Sequence, residues 1–155
     1  MKNITLLLTL FLFVSFSSFA QRFYLGDRLN AATHDFKLMG ISSSTGVSAY
    51  QFIGLKTEPY LYGRKIGDII VGIKNGIIVT TVYSLIPEKG DIGVPKSTLD
   101  LFQSAISQQL IYRNGIYGAN IDNINVTLSR STNEMTFNKD RIMFFTSYKN
   151  SLLKQ

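Results

Sequence analysis

The sequence predicts an α+β fold: a two-layer sandwich in which an antiparallel sheet of about five to six strands packs on two helices, in the order helix, strands, helix, strands. Three observations carry that expectation. Ile66–Ile86 is rich in apolar residues on both sides of Asn75-Gly76, the pair preferred in a two-residue type I′ hairpin turn. Asp27–Met39 and Pro95–Tyr112 repeat apolar residues at helical spacing. Asn120–Arg130 alternates apolar and polar residues with the period of a strand.

Ahead of these elements, residues 1–20 (MKNITLLLTLFLFVSFSSFA) read as an export signal. Lys2 supplies the positive start, Ile4–Val14 the apolar stretch, and Ser18-Phe19-Ala20 places small residues at the two positions a signal peptidase reads. The stretch is shorter than the ~20 residues a helix needs to cross a bilayer. It is therefore read as cleaved, leaving 21–155 as a single α+β domain with no transmembrane span. The expected location is the bacterial periplasm or the extracellular space. The chain contains no cysteine. It has neither the disulfides common in small exported domains nor a cysteine for N-terminal lipidation.

In the first expected helix, Asp27 caps the start, Leu29, Ala32, Phe36 and Met39 form the stripe, and Gly40 ends it. Ser42–Gly46 is a loop. Val47–Gly54 reads as a strand, and Lys56–Gly63, with Pro59, returns the chain. A turn at Asn75-Gly76 pairs Lys74 with Ile77. The register then puts Ile69, Val71 and Ile73 on one face with Ile78, Thr80 and Val82. The opposite face carries Ile70, Gly72, Lys74, Ile77, Val79, Thr81 and Tyr83.

In the second helix, Ser97 and Asp100 resemble a capping box, and Leu99, Phe102, Ile106 and Leu110 form the stripe, which Asn114-Gly115 stops. In Asn120–Arg130, Ile124, Val126 and Leu128 point inward. A turn at Ser131–Asn133 leads to a last strand or bent strand pair, Met135–Tyr148, with Lys139-Asp140 as a bulge or second turn. In arrangement, though in no specific motif, this order resembles small exported bacterial proteins of the β-lactamase-inhibitor or outer-membrane assembly lipoprotein type. That resemblance implies a fold and nothing about activity.

Composition narrows the chemistry. Sixteen Lys and Arg face ten Asp and Glu, a formal charge of +6 that falls by one when Lys2 leaves with the leader. No basic run exceeds Arg64-Lys65, whereas nucleic-acid binding asks for a clustered stripe. The only histidine, His34, falls off the apolar stripe of its helix and faces water, and no G-x-S-x-G accompanies it. One histidine and no cysteine leave few ligands for a transition metal. Catalytic residues, cofactor and metal are therefore all read as none. The carboxylates Asp27, Asp35, Glu58, Asp68, Glu88, Asp91, Asp100, Asp122, Glu134 and Asp140 fall mostly in turns and caps, so a carboxylate-based hydrolase is the weakest alternative. Lys89–Gly93 could hold an anion at a helix start, but Asp91 repels anions and Pro95 removes a donor.

The second face of the hairpin is the best functional lead. If the helices cover one side of the sheet, Ile70, Ile77, Val79 and Tyr83 look outward, as a partner-binding face would. The competing account has the loops at Ser42–Gly46 or Lys56–Gly63 folding over them, or these strands lying centrally in the sheet and covered on both sides. The expected function is an exported, non-catalytic binding module for a protein, peptide or glycan. The principal alternative is an envelope protein that self-associates, as a homodimer, through the same face.

Overall fold

The computed structural model describes residues 22–131 and 140–149. The expected leader, all but the first residue of the Ser131–Asn133 turn, and residues 135–139 of the last strand lie outside them. Strand-forming residues dominate the chain beyond Phe36, and they pair into one nine-stranded antiparallel sheet. Its strands are β1 (Phe36–Ile41), β2 (Ser48–Phe52), β3 (Tyr60–Leu61), β4 (Arg64–Lys74), β5 (Ile77–Leu85), β6 (Ile111–Arg113), β7 (Ile116–Ile121), β8 (Ile124–Ser131) and β9 (Arg141–Tyr148). The spatial order is β1-β2-β4-β5-β9-β8-β7-β6, with β3 paired to β4. The one helix among the described residues, α1 (Lys96–Ile106), follows β5. After β5 the chain leaves the sheet, packs α1 on one face and re-enters at the far edge as β6. Three hairpins then step back to β5.

This corrects the expected two-helix α+β sandwich. Asp27–Met39 forms no helix: turns occupy residues 31–35, and Phe36–Ile41 is an edge strand paired with β2. Local hydrogen bonds compete with the helical stripe there. Asn30 Oδ1 accepts from the Ala32 N–H at 3.1 Å, and the Phe36 N–H reaches the Thr33 carbonyl at 3.3 Å. Phe36 then packs its ring 5.4 Å from Phe52 of β2, a contact a strand makes directly. With one helix and nine strands, the described residues do not show the two-helix arrangement that supported the resemblance to inhibitor-like and assembly-lipoprotein folds.

The second expected helix exists but ends at Ile106, with Ser107 in the left-handed conformation donating to the Ser104 carbonyl. No side chain caps its start; the capping box is replaced by an exposed Lys96–Asp100 ion pair at 2.6 Å. Asn114-Gly115 does not stop the helix. It turns β6 into β7 with φ of 50° and 83°, much as Asn75-Gly76 turns β4 into β5 with 53° and 75°.

A row of paired residues crosses the inner face: Ile69, Tyr83, Phe144 and Leu128 of β4, β5, β9 and β8. Phe102 of α1, wholly buried, sets its ring 4.7 Å from Phe144 and 5.0 Å from Tyr62. Two arginines hold the loop that aims α1. Buried Arg64 donates to Glu88 at 2.6 Å, Asp91 at 3.3 Å and Thr98 Oγ1 at 3.1 Å. Arg130 donates to the carbonyls of Asp91 and Gly93, at 3.0 and 2.9 Å, and pairs with Asp140. That hydrogen bond from Arg130 holds the Asp140 carboxyl below the usual carboxylate range.

Candidate functional site

The hairpin register decides what faces inward. Lys74 pairs with Ile77 and Ile73 with Ile78, but Gly72 pairs with Thr80, so Val79 is an extra residue without a cross-strand partner. This β-bulge reverses every face beyond it. Tyr83 lies opposite Ile69, and Thr81 opposite Val71, on the core face. Tyr83 is only 5% exposed. The four residues of the expected partner face are therefore not brought together. Ile70 pairs with Val82 on the face away from α1, half-buried, Val79 is buried within the bulge, and Ile77 is bridged by Arg28. On that outer face the nearest cover comes from Val47, just ahead of β2, the strand paired with β4. Val47 sits so close to Gly72 that a Cβ there would lie 2.9 Å from its Cγ1.

The inner face carries a cavity of about 390 Å³ instead. Its floor is the row next to the core row: Thr81 of β5, Thr146 of β9 and Val126 of β8, directly paired across the strands. Phe144, Tyr83, Leu61 and Tyr62 form one wall and Ile106 of α1 another, with Ile121 and Ile124 from the β7–β8 turn at the far end. Residues 22–25 complete the lining.

That last segment is tied down by backbone. Gly26 and Leu29 N–H donate to the Ile78 and Gly76 carbonyls, and the Ile78 N–H donates to the Asp27 carbonyl, each at 2.9 Å. Its Phe23 is fixed from both ends. The ring packs 5.3 Å from Phe52 and 5.7 Å from Phe36, and the N–H donates to Tyr83 Oη at 2.9 Å. Burial pushes the Tyr83 hydroxyl up to about 12, opposed in part by this bond to the Phe23 backbone. Burial also raises Tyr62.

Polar chemistry in the cavity is sparse. Thr81 and Thr146 hydroxyls share one short hydrogen bond of 2.6 Å on the floor. The sole charged residue of the lining among the described residues, Arg22, pairs with Glu58 at 3.0 Å. Among the described residues, no carboxylate, histidine or lysine lines the cavity. The described carboxylates offered as hydrolase candidates lie elsewhere, several on cations: Glu88 and Asp91 on Arg64, Asp100 on Lys96, Asp140 on Arg130; Glu134 lies outside the described residues. His34 stands in water beside Asp35. In the Lys89–Gly93 loop, Asp91 Oδ2 accepts from the Glu88 N–H and the carbonyls face Arg130, so the loop presents acceptors to cations. The arrangement can enclose an apolar group and offer it a hydroxyl.

Sequence reasoning missed Thr81, Thr146 and the Arg22–Leu25 segment. Only Thr80-Thr81, a polar doublet inside an apolar hairpin, carried any signal of them. Compared with known proteins, the chain matches no family model, no curated protein and no solved structure.

Proposed function

We propose that this protein is an exported, non-catalytic binding module that holds a small, largely apolar molecule between its sheet, α1 and the 22–25 segment. The observation that carries this reading is the apolar cavity of about 390 Å³, a size typical of small-molecule sites. The leader read from residues 1–20 supports the exported location, and the lack of a charged acid–base pair in the lining favours holding over turnover. Titration with the neutral fluorophore N-phenyl-1-naphthylamine tests it. Saturable one-to-one binding is expected, lost in Ile124→Trp, which fills the far end while keeping the circular dichroism of the sheet. Absence of saturable binding, or binding unchanged in Ile124→Trp, overturns the reading.

One observation favours a second reading, self-association in the envelope. β1 is an edge strand whose Leu38, Met39 and Ile41 are all at least half exposed, and among the described residues its outer backbone groups have no neighbouring strand. A molar mass that stays monomeric at every concentration removes this reading, and a dimer broken by Met39→Lys supports it.

A further inference from the structure

We propose that the Thr81–Thr146 pair selects the ligand's polar group, and that the ligand is an uncharged, mostly apolar alcohol with its hydroxyl on the cavity floor. This rests on the reading of the cavity as a ligand site and adds the chemistry of what fills it.

Two threonine hydroxyls carry two protons and four lone pairs. The shared bond at 2.6 Å uses one proton and one lone pair. The second proton remains to be given, and the oxygen that donates the first keeps its capacity to accept. A ligand hydroxyl answers both at once: it accepts the free proton and donates its own, closing a ring of three O–H groups in which every donor is used. A ketone can only accept, and a hydrocarbon leaves the pair as it stands. Beside the pair on the sheet face stand the apolar Val126 and Phe144, so a second polar group held against them would lose its hydration without replacement, whereas Arg22, Tyr24, Tyr62 and Tyr83 carry the other polar atoms of the lining.

An acidic head is disfavoured by the charges present. Among the described residues Arg22 is the only cation in the lining, and both Nε and Nη2 lie 3.0 Å from Glu58 Oε2, so a carboxylate ligand would meet a neutralised cation and a nearby anion. Size follows from volume. A dry cavity of about 150 Å³ accommodates benzene, so the 390 Å³ here admits roughly fifteen non-hydrogen atoms on that scale.

The test compares three probes of nearly equal size, 2-naphthol, 2-methylnaphthalene and 2-naphthoate, by calorimetry on the exported protein as the cell processes it. Each is measured on the natural protein, on Thr146→Val and on Thr81→Val/Thr146→Val. The double variant replaces both partners by groups of the same shape, so the sheet keeps its packing. The preference for naphthol over methylnaphthalene should fall about three- to tenfold in the double variant, the worth of one or two hydrogen bonds. 2-Methylnaphthalene should bind all three proteins alike, and naphthoate should bind most weakly. An unchanged naphthol-to-methylnaphthalene ratio in both variants overturns the inference while leaving the cavity reading intact. Naphthoate binding more tightly than naphthol, with the gain lost in Arg22→Met, also overturns it and identifies an acid ligand. If none of the three binds and N-phenyl-1-naphthylamine also fails, the cavity reading falls and takes this inference with it.

Discussion

Tyr83→Phe isolates one hydroxyl on which the fold and the cavity both depend. At neutral pH the change strips the Phe23 N–H of its acceptor at 2.9 Å and should cost about 1 kcal/mol. Alkaline pH reverses the comparison. The tyrosine hydroxyl titrates near 10 in an unfolded chain, but burial holds it protonated in the fold up to about 12. A folded-state value raised above the unfolded one gives stability that is complete below pH 10 and lost as pH rises toward 12. Between pH 8 and pH 11 the natural protein should lose about 1.4 kcal/mol through this residue alone. Tyr83→Phe cannot lose that part. Its deficit of about 1 kcal/mol at pH 8 should close by pH 11 and turn into a small advantage. Urea unfolding followed by far-ultraviolet circular dichroism measures both proteins, a suitable probe because the chain has no tryptophan. Parallel loss of stability in the two proteins over this range would refute the argument that Tyr83 is buried as a protonated donor and acceptor.

Three further outcomes are expected. Phe102→Ala empties the contact between α1 and Phe144 and should cost about 3–5 kcal/mol in the same unfolding assay. Arg64→Ala leaves the mostly buried Asp91 carboxylate and the Thr98 hydroxyl without their cation and should cost about 3 kcal/mol, while Glu88→Ala, at the exposed end of the same group, should cost less than about 0.5 kcal/mol. Gly72→Ala presses its new methyl against Val47 Cγ1 and Thr80 Cβ, at 2.9 and 3.1 Å, and should cost about 1–2 kcal/mol, with Val47→Ala recovering part of it in a double-mutant cycle.

Where local chemistry has one answer, the sequence and the fold agree. Asn75-Gly76 makes its hairpin turn, and the inward Val126 and Leu128 are buried as their alternation requires. Where two local answers compete, the pattern misled. Phe36 and Met39 sit at helical spacing from Leu29 and Ala32, yet an edge strand gives Phe36 the rings of Phe52 and Phe23, a tertiary gain that spacing does not display. Asn114-Gly115 serves equally as a helix stop and a hairpin turn. The choice rests on whether Ile111–Arg113 finds a strand to pair with, and β7 supplies it.

The candidate site was hidden for a sharper reason. A perfect ladder from Asn75-Gly76 would pair Gly72 with Val79 and keep Thr80 and Val82 on the core face, leaving Thr81 and Tyr83 outside. The single unpaired residue, Val79, shifts the pairing to Gly72 with Thr80 and exchanges the two sets. Both halves of the proposed chemistry follow from that exchange: the hydroxyl pair on the cavity floor needs Thr81 inward against Thr146, and the 22–25 segment needs Tyr83 inward to hold Phe23. Alternation alone could not reveal it, because Val82 and Tyr83 are each apolar enough to be buried. Gly72, the partner of Thr80 beside the bulge, is closely packed on both flanks. With no Cβ it lets Thr80 and Val47 close in from opposite sides at distances a side chain would forbid. A methyl at this one position therefore strains the bulge, and any relaxation toward the regular ladder would turn Thr81 away from Thr146. Gly72→Ala should thus weaken 2-naphthol binding more than 2-methylnaphthalene binding, although residue 72 touches neither probe.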